Sequence, residues 1–186
     1  MRVTSPSSWH APDLVYGVRR RWTWRAAVCD PAPMPRTDSA SRVVNADVPR
    51  VFAALLDPAQ LREWLPPQGM TGRFERFDPR PGGSYRLVLT YEASTAGSGK
   101  ATADSDVVEA RFLDIVPNAR VVQAVEFVSD DLAFAGTMTM TWEVAAQSDG
   151  THVTIRAVDV PEGISAEDHA VGLSSSLAQL AAVVEA

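Results

Sequence analysis

The last twenty or so residues constrain this chain most. Ala170, Leu173, Leu177, Leu180 and Val184 recur at steps of three and four, the spacing of one face of an α-helix. Ser165 stands in front of them as an N-cap, and Asp168 at the third helical position makes a weaker form of the capping box. A helix of about 20 residues is on the order of 30 Å long. An apolar stripe of that length must lie on a partner, and the only large partner in the sequence is a series of strand-like segments. The chain is therefore predicted to be α+β, a strand meander gripping one long terminal helix, rather than a set of alternating βα units.

The segments before that helix are read in order. Arg42–Ala46 is a short strand. Asp47 caps a helix whose first turn takes Pro49 and whose apolar face is Val51, Phe52, Leu55 and Leu56. Asp57-Pro58 restarts the chain as a second short helix, Ala59–Trp64, ended by Pro66-Pro67. Strands are then predicted at Met70–Phe77, Ser84–Ala93, Thr102–Val116, Arg120–Ser129, Gly136–Ala146 and Thr151–Val160. Their turns are Pro81-Gly82-Gly83, Ser94–Lys100, Pro117-Asn118 and Ser148-Asp149-Gly150. Thr102–Val116 is long enough to require a long or bent strand.

Charge divides the chain. Residues 1–38 hold six Arg and three Asp, a net of 6 − 3 = +3, and residues 39–186 hold eleven Lys or Arg and twenty Asp or Glu, a net of 11 − 20 = −9. The first segment has five prolines and no sustained period, and is expected to be a disordered basic leader before a domain at 39–186. Arg19-Arg20-Arg21 is not followed by the apolar region of an export signal, because Arg25 interrupts it. Met34 offers an alternative start that would leave Pro35–Ser41 as a short leader and drop Cys29. The acidic body argues against nucleic acid as a partner. No apolar stretch is long enough to span a membrane. Cys29, the single cysteine, permits neither an internal disulfide nor a cysteine metal cluster, and the default location is the cytoplasm.

Few residues invite chemistry. Gly97–Lys100 departs from the phosphate-loop pattern at Ser94 and Ala101, and no helix follows it. His10, His152 and His169 are too scattered for a metal-ligand spacing, so neither metal nor cofactor is expected. His169 lies four residues before Leu173 and borders the apolar stripe. It serves either as a proton-transfer or hydrogen-bonding group in a cavity, or as a first-turn histidine paired with a carboxylate such as Glu162. Met138, Met140 and Trp142 alternate with polar residues and form either a pocket wall or plain core. Glu126, inside an apolar strand, is either a pocket acid with a raised pKa or a solvent-face residue. Ser174-Ser175-Ser176 sits within a helix, away from any nucleophile elbow.

Five phrases form a set: Asp47-Val-Pro-Arg-Val-Phe52, Leu61-Arg-Glu-Trp64, Phe77-Asp-Pro-Arg-Pro-Gly-Gly83, Arg111-Phe-Leu-Asp-Ile-Val-Pro117, and the stretch from Val160-Pro-Glu-Gly163 through Leu180. Together they resemble the activator of heat-shock-protein-90 ATPase homologue-like family, a branch of the START-like, polyketide-cyclase-like (SRPBCC) superfamily. The resemblance runs from about Arg42 to the C-terminus. It implies a START-like helix-grip fold, a curved antiparallel sheet of six to seven strands wrapped on the long C-terminal helix with two short helices. It also implies an apolar cavity between sheet and helix, lined here by Trp64, Tyr85, Phe112, Met138, Met140, Trp142, His169 and Leu173. Many members of that family carry Trp where this chain has Leu173, a change that alters the size or opening of the cavity. The function implied is binding of a small hydrophobic molecule. The alternatives are a cyclase or aromatase type of enzyme, in which His169, Glu126 or Tyr85 moves protons, and an interaction module acting on a chaperone ATPase. The absence of a decisive catalytic set weighs against an enzyme, and a homodimer is left open as the assembly.

Overall fold

The computed structural model describes residues 36–92 and 105–186. The leader up to residue 35, the Ser94–Lys100 turn and the proposed strand start at Thr102 lie outside those residues. Seven strands form one antiparallel, curved sheet: β1 (Thr37–Val44), β2 (Met70–Phe77), β3 (Ser84–Tyr91), β4 (Ser105–Val116), β5 (Arg120–Phe127), β6 (Met138–Gln147) and β7 (Gly150–Val158). Their order is β1-β7-β6-β5-β4-β3-β2, so the two short helices α1 (Val48–Ala54) and α2 (Pro58–Trp64) carry the chain from one edge of the sheet to the other. The long helix α3 (Ala166–Val184) lies on the concave face.

Local signals place most of these elements. The Asp47 carboxylate accepts from the Arg50 amide at 2.8 Å, and Asp57 accepts from Ala59 at 2.7 Å, so each short helix is capped by the residue before its first turn. Ser165 accepts from the Asp168 amide at 3.0 Å and donates to the Asp168 carboxylate at 2.7 Å. Tyr85, Leu87 and Leu89 alternate inward on β3, as period-2 patterning requires. The register of β4 against β5 shifts between Phe112 and Asp114, a bulge that bends the long strand.

Two expectations need correcting. The first strand begins at Thr37 rather than Arg42, and the chain has turned by Ala46, whose amide bonds back to the Val44 carbonyl at 2.9 Å. An edge strand buries only part of one face, so Thr37–Ser41 shows little apolar alternation and reads as leader; its pairing with β7, Thr37 opposite Val158 to Val44 opposite Thr151, supplies what its side chains do not. The stripe of α3 is also rotated at its start. Ala170 is exposed, and the inward positions are His169, Leu173, Leu177, Leu180, Ala181 and Val184.

The C-terminal half of α3 is fixed from several sides. Arg50 donates to the carbonyls of Val183 (3.1 Å) and Val184 (3.3 Å), supplying the positive partner that helix C-termini favour. The Gln179 amide donates to the carbonyls of Trp64 and Pro66 at 2.8 and 2.9 Å, tying the helix to the segment after α2. No helix among the described residues is long and apolar enough to cross a membrane.

Candidate functional site

The two halves of α3 face the sheet with different volumes. The second half inserts Leu177, Leu180 and Val184 into a closed core. The first half presents Gly172, Ser175 and Ser176 beside Leu173, and small side chains there leave space. The result is a cavity of about 210 Å³ between the first half of α3 and the inner face of β3 to β6. Leu65 and Pro67, from the segment after α2, complete its wall.

Of the residues expected to line a cavity, Tyr85, Met138, Met140, Trp142, His169 and Leu173 are on its wall. Trp64 and Phe112 are not. Trp64 is 1% exposed, donates its indole N–H to the Ala54 carbonyl at 3.0 Å, and meets Trp142 edge-on with ring centroids 5.1 Å apart. It is a clamp between the short helices and the core. Phe112 is fully buried in an aromatic cluster, 5.7 Å from the Tyr85 ring and 6.1 Å from that of Phe77. Both belong to the core behind the cavity.

The three proton-transfer candidates separate in space. Glu126 is exposed on the outer face of the sheet, where it accepts from the Thr137 hydroxyl at 2.6 Å, and it cannot reach the cavity. Tyr85 is 4% exposed, and burial pushes its phenol pKa up, so the hydroxyl stays neutral and acts as a hydrogen-bonding group. His169 is inward-facing, and its Nδ1 lies 2.7 Å from Asp38 Oδ2. The partner is thus Asp38 on β1, not Glu162.

Asp38 and Arg36 are functional candidates that sequence reasoning missed, because both fell in the expected leader. Arg36 holds the carboxylate through Nε (3.1 and 3.0 Å) and Nη2 (2.5 Å), while its Nη1 donates to the Ile164 carbonyl just before α3. The Arg36 guanidinium holds the Asp38 carboxyl below its usual range, burial opposes the shift, and the His169 hydrogen bond adds to it. A carboxylate kept ionised can only accept, so the imidazole carries a proton on Nδ1, and whenever the ring is neutral Nε2 is the acceptor. Because the folded pKa is depressed, this interaction stabilises the protein above the ordinary carboxylate pKa and is lost as pH falls through the lower folded value. Urea midpoints of the native protein and of Asp38→Asn are expected to differ fully at pH 7 and to converge below about pH 4. A gap that stays constant down to pH 3 would contradict that assignment.

Gln123 is the third residue missed. It sits on β5, opposite Phe112 on one side and Met140 on the other, and is 5% exposed on the cavity wall. Among the described residues no hydrogen bond reaches its side-chain amide. Its sequence signal is the polar residue at an inward position of Val121-Val-Gln-Ala-Val125, where alternation calls for an apolar one.

Gly172 adds a separate test of the helix. A Cβ built there meets nothing within 4 Å, and its backbone is helical. Gly172→Ala is expected to raise stability by about 0.5–1 kcal/mol through reduced backbone entropy, measured by urea unfolding.

Comparisons with known proteins place this architecture. Residues 45–185 match the model of the family described as Activator of Hsp90 ATPase homolog 1-like protein. A crystal structure of a protein from Chromobacterium violaceum is 33% identical, with a TM-score of 0.72 over 81% of this chain and 97% of that one. A solution structure of an Arthrobacter aurescens protein shares the fold at 21% identity, with a TM-score of 0.67 over 80% of this chain and 86% of the other. No curated protein matches the chain. With three quarters of its length under one family model and a one-third-identical structural relative, the chain belongs to the Activator of Hsp90 ATPase homolog 1-like family, within the START-like folds.

Proposed function

We propose that the protein binds a small, compact hydrophobic molecule in the cavity beneath the first half of α3. The observation that carries this reading is the contrast within one helix: Leu177, Leu180 and Val184 close the core, whereas Gly172, Ser175 and Ser176 hold about 210 Å³ open against a mostly apolar wall. Dry apolar cavities on the order of 150 Å³ admit benzene, so this one suits one substituted ring or two fused rings. It is smaller than the roughly 300–1,000 Å³ pockets of larger ligands, which argues against a long acyl chain. Met138 and Met140 suit the role because thioethers adapt to irregular shapes and pack well on aromatic faces.

A ligand at a hundred times its Kd stabilises the native state by about 2.7 kcal/mol, which raises Tm by roughly 5–10 °C in a domain of this size. The test combines native mass spectrometry of the purified protein with a thermal-shift panel of compact aromatics, terpenoids and short acyl compounds. A retained molecule or a shift of that size is the expected result. A protein that is empty as purified and unmoved by the whole panel would remove the proposal.

One observation favours chemistry in addition to binding. The Asp38–His169 pair fixes an imidazole beside the cavity in a single tautomer, which is how a general base is oriented. Incubation of each bound compound followed by product analysis distinguishes the two, since a binder returns its ligand unchanged.

A further inference from the structure

The cavity wall is apolar with a few exceptions, and those exceptions describe the occupant. Several have a polar atom without a side-chain hydrogen bond among the described residues; besides the Trp142 indole N–H and the Ser175 and Ser176 hydroxyls, three bear on one ligand group. These are the Gln123 amide, the Tyr85 hydroxyl, and His169 Nε2, left over when Nδ1 is taken by Asp38. Tyr85 and Gln123 stand in adjacent rows of the same sheet face: Tyr85 pairs with Ala110, and the next inward residue of β4, Phe112, pairs with Gln123. His169 closes the same cavity from the helix. Buried polar groups are as a rule hydrogen-bonded, and no fully buried side-chain polar atom among the described residues lacks a partner, so the unpaired amide of the 5%-exposed Gln123 opens onto the cavity, where a ligand's polar group can meet it.

The charges near the site restrict that group further. Among the described residues no Lys, Arg, Asp or Glu lines the cavity. The nearest ion pair is satisfied within itself, since Asp38 accepts from Arg36 and His169 while Arg36 also donates to Ile164. With the imidazole neutral, an ionised ligand would enter without a counter-charge, which is costly in an apolar enclosure. The ligand is therefore neutral. Nε2 of the neutral imidazole is an acceptor, so the ligand must offer it a donor, and a hydroxyl can donate there while accepting from the Gln123 amide.

We infer that the cavity is built for a compact, neutral, hydroxyl-bearing aromatic molecule, its hydroxyl held between His169 Nε2 and the Gln123 amide, with Asp38 as the positioning residue that fixes the imidazole. This rests on the binding reading above and specifies its ligand class. The phenol of Tyr85 supplies a second polar contact on the same wall.

A matched pair of probes tests it: 2-naphthol and 2-methylnaphthalene differ by one hydroxyl at nearly constant volume. Both are titrated into the full-length protein by protein-observed NMR. The expected result is that 2-naphthol binds at least tenfold tighter, that Gln123→Met and His169→Phe each cut this preference to about threefold or less, and that both variants still bind 2-methylnaphthalene. Asp38→Asn is expected to lower the preference too. The ¹⁵N shifts of the His169 ring should report the Nδ1–H tautomer in the native protein and a mixture in Asp38→Asn, a change that a merely structural role for Asp38 would not produce. Equal affinity for the two probes would overturn the inference and leave the apolar binding site standing. A preference undiminished in both Gln123→Met and His169→Phe would overturn it as well. Failure of both probes to bind would remove the underlying binding reading along with it.

Discussion

Replacing Trp64 by alanine is expected to destabilise the protein by about 4 kcal/mol, read as a fall in the urea midpoint at unchanged slope. Three losses combine at this position. The side chain is 1% exposed, so truncation leaves a large void in a core with little room to collapse. Its indole N–H is bonded to the Ala54 carbonyl at the end of α1, and that acceptor loses its partner. The edge-to-face contact with Trp142, at an interplanar angle of 74°, disappears as well. Trp64→Phe should recover part of the packing but not the hydrogen bond, with a loss of about 2 kcal/mol. A loss below about 1 kcal/mol for the alanine variant would show that the short helices are not clamped through this ring.

The second large effect is expected at Gly150, where β6 turns into β7. Its φ is +137°, a conformation that a side chain strongly disfavours, and a Cβ there would lie 2.1 Å from the Val44 carbonyl oxygen. That oxygen belongs to the backbone of β1 and has no flexible end to yield. Gly150→Ala is expected to cost more than about 3 kcal/mol, or to prevent β1 from pairing with β7 at this end. Circular dichroism melting measures the first outcome. Hydrogen exchange of the Thr37–Val44 amides measures the second. A variant that melts within 2 °C of the native protein would refute the close approach.

These two sites show which parts of the fold are legible in a sequence. Asp47, Asp57 and Ser165 announce their helices because capping acts within three residues. Tyr85, Leu87 and Leu89 announce a strand because alternation is also local. Together with the family phrases they are enough for a helix-grip fold. β1 gives no such signal, since its order comes from a partner more than a hundred residues away rather than from its own pattern. The phase of the α3 stripe is misread for a related reason. Apolarity favours Ala170, whereas the sheet receives His169, a polar residue whose inward position is supported by Asp38 on that distant strand.

The candidate site is legible to a lesser degree. Met138, Met140 and Trp142 are found by alternation, yet the same alternation sets Phe112 beside them, and only depth distinguishes wall from core. Glu126 and Gln123 are both polar residues in one apolar strand. Parity separates them: three residues apart, they face opposite sides of the sheet, Glu126 to solvent and Gln123 to the cavity.

The strand order has a consequence for how the molecule is made. Among the described strands β1 is synthesised first, yet its only neighbour among them is β7, the last of them, and Asp38 on β1 awaits a histidine 131 residues downstream. At about 5–20 residues per second on the ribosome, the amino-terminal strand waits on the order of seconds with an unpaired edge. The helix that roofs the cavity emerges later still. Closure of the sheet and completion of the cavity are therefore late, linked events, and a nascent chain that lacks α3 has no chamber in which to hold a ligand.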